Sequence, residues 1–263
     1  MEADDQRQIH VLAQRIAKEK YDLVGLQEVN QGIASPLVTV DSYFQPTEKQ
    51  QAIRQNNFLF CLTEHLKELG CYYYWNWSYN HIGYDRFHEG IGLLSKTPLI
   101  VESHFVSKSS NPADYHTRKV VIGETTVNQE QIVIANVHLS WWRGFDDSFA
   151  PEWQTLEEKL KAKSGSLLVV GDFNNDAKKI NEGYDLVTKS SLDLQDAFVA
   201  AKKTTGECTV EEAIDGWAQN RSGLRIDYVF ASKKFEIASY KVVFDDVNDI
   251  KISDHFGIEV TMD

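Results

Sequence analysis

The sequence predicts an α+β fold of two packed, mostly antiparallel sheets with helices outside. Three observations predict it. Two stretches near the N-terminus carry apolar residues at helical spacing. A series of short strand-like runs lies between residues 71 and 138, spaced as hairpins. Buried strand-like runs then alternate with helical and loop segments towards the C-terminus. No internal repeat, low-complexity linker or clear boundary interrupts the 263 residues, so one domain over 1–263 is expected.

The elements follow in order. Asp5 can cap a first helix carrying Ile9, Leu12, Ala13 and Ile16. DLVGLQEV (Asp22–Val29) is short and apolar and reads as a buried strand. After a loop with Gly32, Pro36 and Pro46, residues 50–69 show helical periodicity through Ile53, Phe58, Leu62, Leu66 and Leu69, stopping at Gly70. Strands are expected at 71–78, 89–95, 99–107, 116–125 and 131–138. Residues 151–162 read as a helix opened by Pro151. Ser166–Val170 is another buried strand, 176–203 reads as loop with short helices, and Arg225–Phe230, Glu236–Phe244 and Phe256–Met262 are closing strands.

Composition narrows the functional classes. The net charge is −12, with no Lys/Arg-rich block, which disfavours a nuclease that holds duplex DNA through its phosphates. No run reaches the ~18 apolar residues of a membrane span, and MEADDQRQ is no secretory signal. Cys61, Cys71 and Cys208 are an odd number without paired spacing, which reads as reduced thiols in a cytoplasmic protein.

Five polar clusters sit at or just beyond apolar strands: Gln27-Glu28, Asn136-Val137-His138, Gly171-Asp172-Phe173-Asn174, Asp227 within RIDYVF, and Ser253-Asp254-His255. Each alone has an ordinary explanation. A lone Glu is a solvated carboxylate, Gly-Asp-x-Asn a turn, Ser-Asp a cap. Their conjunction fits phosphoryl transfer. Hard carboxylate oxygens suit Mg²⁺, a carboxylate can orient or deprotonate water, and amide and imidazole donors can hold the equatorial phosphate oxygens.

LQEVN, EGIGLLSK, NVHL, GDFNN, RIDYVF and SDHFGIEV, in this order, resemble the endonuclease/exonuclease/phosphatase superfamily from about residue 9 to the C-terminus. The resemblance implies a four-layer αββα sandwich, the DNase-I-like fold, and a Mg²⁺-dependent phosphoester hydrolase, with Mn²⁺ as a substitute. It implies Glu28 as principal metal ligand and Asp254 as second ligand or outer support. Asp172 would activate water and Asn174 would contact a non-bridging oxygen. His255 would sit against the scissile phosphate, held by Asp227. The family divides the base role between the histidine and the aspartate; Asp172 is taken here as base and His255 as transition-state stabiliser. His138 resembles the histidine that donates to the phosphate, with Glu89 orienting it, and Arg118 resembles a phosphate-facing arginine. Members usually open with a strand bearing a metal-shell Asn before the first helix. This sequence starts at Met1-Glu2-Ala3-Asp4, already at the helix, so that first strand is expected to be missing.

Two aromatic stretches point to the substrate. Cys71–Gly90 contains a Trp-x-Trp run followed by His81, Tyr84, Asp85, Arg86 and His88. Ser140–Phe149 contains Trp141, Trp142 and Arg143 directly after His138 and reads as a substrate lid. Aromatic faces suit sugar rings and Arg suits a phosphate dianion. Both stretches are similar to a bacterial cytoplasmic subgroup that includes maltose 6′-phosphate phosphatases. The expectation is a monoesterase for a small sugar phosphate, working without membrane or nucleic acid. His81, Tyr84, Trp141, Trp142 and Arg143 would contact substrate. The alternatives are a phosphodiesterase (sphingomyelinase-like or nuclease) and a catalytically inactive binding module.

Overall fold

The computed structural model describes residues 3–142, 148–214, 216–247 and 249–263. They form two compact units, Met1–His138 and Leu139–Asp263. The secondary structure is α+β, as expected, and the strand pairs within each unit are antiparallel apart from one short parallel pair.

In the first unit, helix α1 (Ala3–Glu19) buries Ile9, Leu12, Ala13 and Ile16. It starts before Asp5, so Asp5 lies in the first turn instead of capping it. Helix α2 (Phe58–Glu68) packs on α1 and against strand β1 (Leu23–Gly32). It is shorter than the expected 50–69. Asn57 caps it, its side chain accepting from the Phe60 N–H at 3.0 Å. Residues 50–56 are instead non-helical, with Leu37 bridged to Arg54, the Val38 N–H donating to Ile53 O at 3.0 Å, and a turn at 55–56 leading to the cap. Ile53 is buried there without being helical, which is why its spacing misled.

Strands β2 (Tyr74–Gly83) and β3 (Phe87–Ser95) form a long hairpin, and β1 adds to β3, giving the order β1-β3-β2. β2 starts later than residue 71 because Cys71 still closes α2, its N–H donating to Leu66 O at 2.8 Å. Strands β4 (Ile100–Phe105), β5 (Lys119–Val127) and β6 (Glu130–His138) pair in sequence order and pack on the first sheet. Trp75, Trp77, Leu93, Val121 and Ile134 fill the interior. Asn136 on β6 ties the layers, donating to Leu26 O at 2.9 Å and Gly92 O at 2.8 Å. Such satisfied buried amides fix layer alignment where apolar contacts alone would slide.

In the second unit, helix α3 (Phe149–Lys161) precedes strand β7 (Ser166–Asp172). Pro151 is its third residue and leaves no helical bond unmade. Then come α4 (Gly183–Thr188), β8 (Leu194–Asp196), α5 (Ala197–Ala200) and β9 (Lys203–Thr205). Strand β10 (Asp227–Ser232) lies between β7 and β8. Strand β11 (Ile237–Val243) lies between β12 (Gly257–Met262) and β9, with β9 parallel to it. Among the described residues no helix is long and apolar enough to cross a membrane, and the three cysteines are unbridged.

Candidate active site

In the second unit three of the five polar clusters converge. Asp172 ends β7 and Asp227 begins β10, and the two are cross-strand partners. Both are buried, at 4% and 8% exposure. Just past Asp172 the chain turns through Asn174, whose φ is +49°. A non-glycine residue in the left-handed region costs of order 1 kcal/mol and persists when neighbours over-determine it. They do here. The Asn174 N–H donates to Asp172 Oδ1 at 2.7 Å, and its side-chain amide donates to Leu139 O at 3.0 Å and to Asp172 Oδ2 at 3.2 Å. The turn holds both Asp172 oxygens and fixes the amide beside them.

His255 lies in the turn before β12, its Nδ1 3.1 Å and 3.0 Å from the two oxygens of Asp227. Burial opposes a charge on this imidazole, but the Asp227 carboxylate, with Asp172 and Asp254 adding, outweighs it and raises the pKa to about 10. Asp254 beside it is exposed and accepts from the Ser253 hydroxyl at 3.1 Å. One ligand atom each from Asp172, Asp227 and His255 lie within 4.8 Å of one another, a group able to hold a metal. Because both Asp227 oxygens already face Nδ1, we read Asp227 as the anchor of His255 more than as a ligand.

In the first unit, Glu28 sits where β1 slips register against β3 between Leu26 and Val29. Its φ is +51° and it is exposed. Bulges of this kind re-aim a side chain out of the ladder. Gln27 in the same bulge donates to Asn136 Oδ1 at 2.6 Å. Glu89 on β3 is buried at 8% exposure. Burial pushes its carboxyl up to about 7, the Glu28 charge adding and Arg118 opposing. His81 on β2 faces Glu89, Nε2 to Oε1 at 3.5 Å, a partnership the sequence did not announce. Burial, helped by Arg118, pushes this histidine down to about 4, so it is neutral. Arg118 is 4% exposed, and its Nε has no hydrogen-bond partner among the described residues. His138 ends β6 and is 5% exposed. Tyr84 tips the β2–β3 hairpin with φ +50° and stands out at 79% exposure.

The donors fit a divalent cation. In the first unit Glu28 offers an exposed carboxylate whose mutual repulsion with Glu89 a bound cation would offset, and in the second unit Asp254 offers another exposed carboxylate. Trp141 and Trp142 are half-buried. The Trp141 indole lies against Gly216, which leaves no room there for a side chain. Arg143 lies outside the described residues. Sequence reasoning missed Glu152, which accepts from the Ser140 N–H and hydroxyl, and the buried Arg225–Asp196 pair at 2.7 Å. Helical spacing makes Glu152 look like a surface residue of α3, and no local pattern marks Asp196.

The chain matches the model of the Endonuclease/Exonuclease/phosphatase family over residues 2–255. No curated protein matches it. Among solved structures it is similar to a family protein from Leptotrichia buccalis, at 27% identity and a TM-score of 0.86, covering 100% of this chain and 95% of that one. It shares the fold of a mannosyl-6-phosphatase from Bacteroides thetaiotaomicron, at 17% identity and TM-score 0.65, covering 98% and 91% of the two chains. It shares it also with a humanized TDP2 from D. rerio, at 16% identity and TM-score 0.62, covering 99% and 93%.

Proposed function

The chain belongs to the endonuclease/exonuclease/phosphatase family, whose members are metal-dependent hydrolases of phosphoester bonds, and from that membership we propose that it is a Mg²⁺-dependent monoesterase for a small sugar phosphate. The observation that carries the monoester reading is Arg118. A guanidinium at 4% exposure, whose Nε has no partner among the described residues and which lies near Glu89 and a neutral His81, is a buried cation that an incoming anion would help to satisfy. A monoester carries the dianion that best repays it. The aromatic residues Tyr84, Trp141 and Trp142 support a sugar on the leaving-group side, together with the Arg143 expectation.

The proposed roles follow from chemistry. A bound Mg²⁺ would neutralise charge on the transferring phosphoryl group, with Glu28 and Asp254 as its ligands. Asp172, its oxygens fixed by Asn174, orients and deprotonates the attacking water. His138 donates to a non-bridging oxygen, and the Asn174 amide does so by exchanging its bond to Asp172 Oδ2 for one to the phosphate. His255, charged through its Asp227 partner, stabilises the negative charge that develops on the phosphate. That charge makes it a poor base and favours Asp172 in that role. Glu89 holds His81 or His138 in orientation.

The test is phosphate release, with Mg²⁺, from disaccharide phosphates, hexose phosphates, nucleotides, sphingomyelin and a dinucleotide diester. Turnover highest on a sugar phosphate is expected. Preference for either diester would replace the monoesterase reading, and absence of turnover on all of them would favour a binding module.

A further inference from the structure

Thr209 belongs to none of the motifs above, yet it touches both segments that carry the Asp227–His255 pair. It is fully buried in the connection between β9 and β10. Its hydroxyl oxygen accepts from the Ile226 N–H at 3.2 Å and from the Asp227 N–H at 3.3 Å. Its carbonyl accepts from the N–H of Phe256, the residue after His255, at 2.7 Å. Its own N–H donates to Leu224 O at 2.8 Å.

Asp227 and His255 are 28 residues apart and meet only if two backbone segments keep their spacing. Thr209 bonds the Asp227 segment through its hydroxyl and, at Leu224, through its N–H, and it bonds the His255 segment through its carbonyl. We propose that Thr209 is a positioning residue that sets the Asp227–His255 contact. Valine has the same shape but no acceptor, so it would leave two buried N–H groups unanswered, and the start of β10 would have to move to find others. A shift of about 1 Å at a reacting group costs about 100-fold in rate. The segment has a separate anchor in the apolar cluster of Val210, Leu224 and Ile226, against which Ile214 and Trp217 pack. Its burial therefore does not depend on the hydroxyl, and the two contributions can be separated by mutation.

The catalytic consequence rests on the phosphoesterase reading; the geometric one does not. The experiment compares Thr209→Val, Thr209→Ser and Val210→Ala with the wild type. It uses steady-state kinetics with Mg²⁺ and p-nitrophenyl phosphate, and the ring ¹⁵N shifts of His255, assigned by their loss in His255→Ala. Thr209→Val should lower kcat by about 10- to 100-fold with KM within about twofold, and should move the His255 ring shifts. Thr209→Ser should restore both. Val210→Ala should lower the melting temperature but keep kcat and ring shifts. If Thr209→Val does not fold, Thr209→Ala is read the same way. Wild-type kcat and ring shifts in the variant lacking the hydroxyl overturn the proposal, as does an equal kcat loss in Val210→Ala. If the wild type hydrolyses no phosphoester, the hydrolase reading fails alone, and the His255 ring shifts decide on Thr209.

Discussion

Glu152 grips Ser140 with both carboxylate oxygens, Oε2 accepting from the backbone N–H at 2.8 Å and Oε1 from the hydroxyl at 2.7 Å. Glu152 is 1% exposed, and Ser140 opens the segment that carries Trp141 and Trp142. Glu152→Gln puts an amide donor against one of two donors. The expected cost is about 1–3 kcal/mol, seen as a melting temperature lowered by roughly 2–12 °C for a chain of this size. An unchanged thermal melt would show that the contact contributes nothing.

Asp172→Ala and His255→Ala should each lower kcat by about 100-fold or more while leaving the far-ultraviolet circular dichroism spectrum intact. Both residues are at element ends, where truncation leaves no large apolar void. Steady-state kinetics on the best substrate decide, and near-normal turnover in either variant removes that residue from the mechanism.

Chelation should abolish turnover, and Mg²⁺ should restore it, with Mn²⁺ substituting. Metal addition should also raise the melting temperature, because a ligand that binds only the folded state stabilises it. Hydrolysis that survives exhaustive EDTA treatment would contradict the metal role.

Glu89 gives the metal-free protein a pH-dependent stability of definite sign. Burial holds its folded pKa at about 7, above the usual glutamate value of 4.5. The folded state therefore keeps a proton that the unfolded state releases, and stability is lost as pH rises from about 4.5 to 7. That displacement corresponds to about 3 kcal/mol. In EDTA, Glu89→Gln should melt higher than wild type at pH 8 and alike at pH 4. His81 acts oppositely: with a folded pKa of about 4 against 6.5, it costs stability as pH falls between those values. Parallel melting curves for wild type and Glu89→Gln across this range would refute the account.

Trp141→Ala or Trp142→Ala should raise KM for a disaccharide phosphate more than for p-nitrophenyl phosphate. Gly216→Ala should mimic Trp141→Ala, since its φ of +78° and the adjacent indole leave no room for a methyl group. Equal KM changes on both substrates would make these tryptophans structural.

The fold class and the chemistry were legible where polar residues interrupt apolar strands. Asp172, Asp227 and His255 stood out because the runs LLVV, DYVF and FGIEV leave them at strand ends. Tyr73, Trp75 and Trp77, by contrast, are buried at 4%, 1% and 0% exposure, so three of the five aromatic residues in Tyr72–Trp77 serve the core while Tyr72 is 54% exposed. The helix at 50–69 was over-extended because Ile53 is buried by a bridge to distant chain, which periodicity cannot distinguish from a helical face. Glu152, Thr209 and the His81–Glu89 contact were invisible for a common reason. Their partners lie in other elements, and a lone Thr or Glu between polar residues resembles any surface position.

The pairing of Asp172 with Asp227 has an evolutionary implication. A strand ladder repeats every two residues, so a slip of one would point Asp227 to the opposite face. The two acids are thus fixed by the ladder, and the chain joining them returns to that lock at Asn174, which donates to Asp172, and at Thr209, which accepts from the Asp227 N–H. Exposed turns of this excursion that lie away from Asn174 and Thr209 can therefore take insertions without moving the two acids.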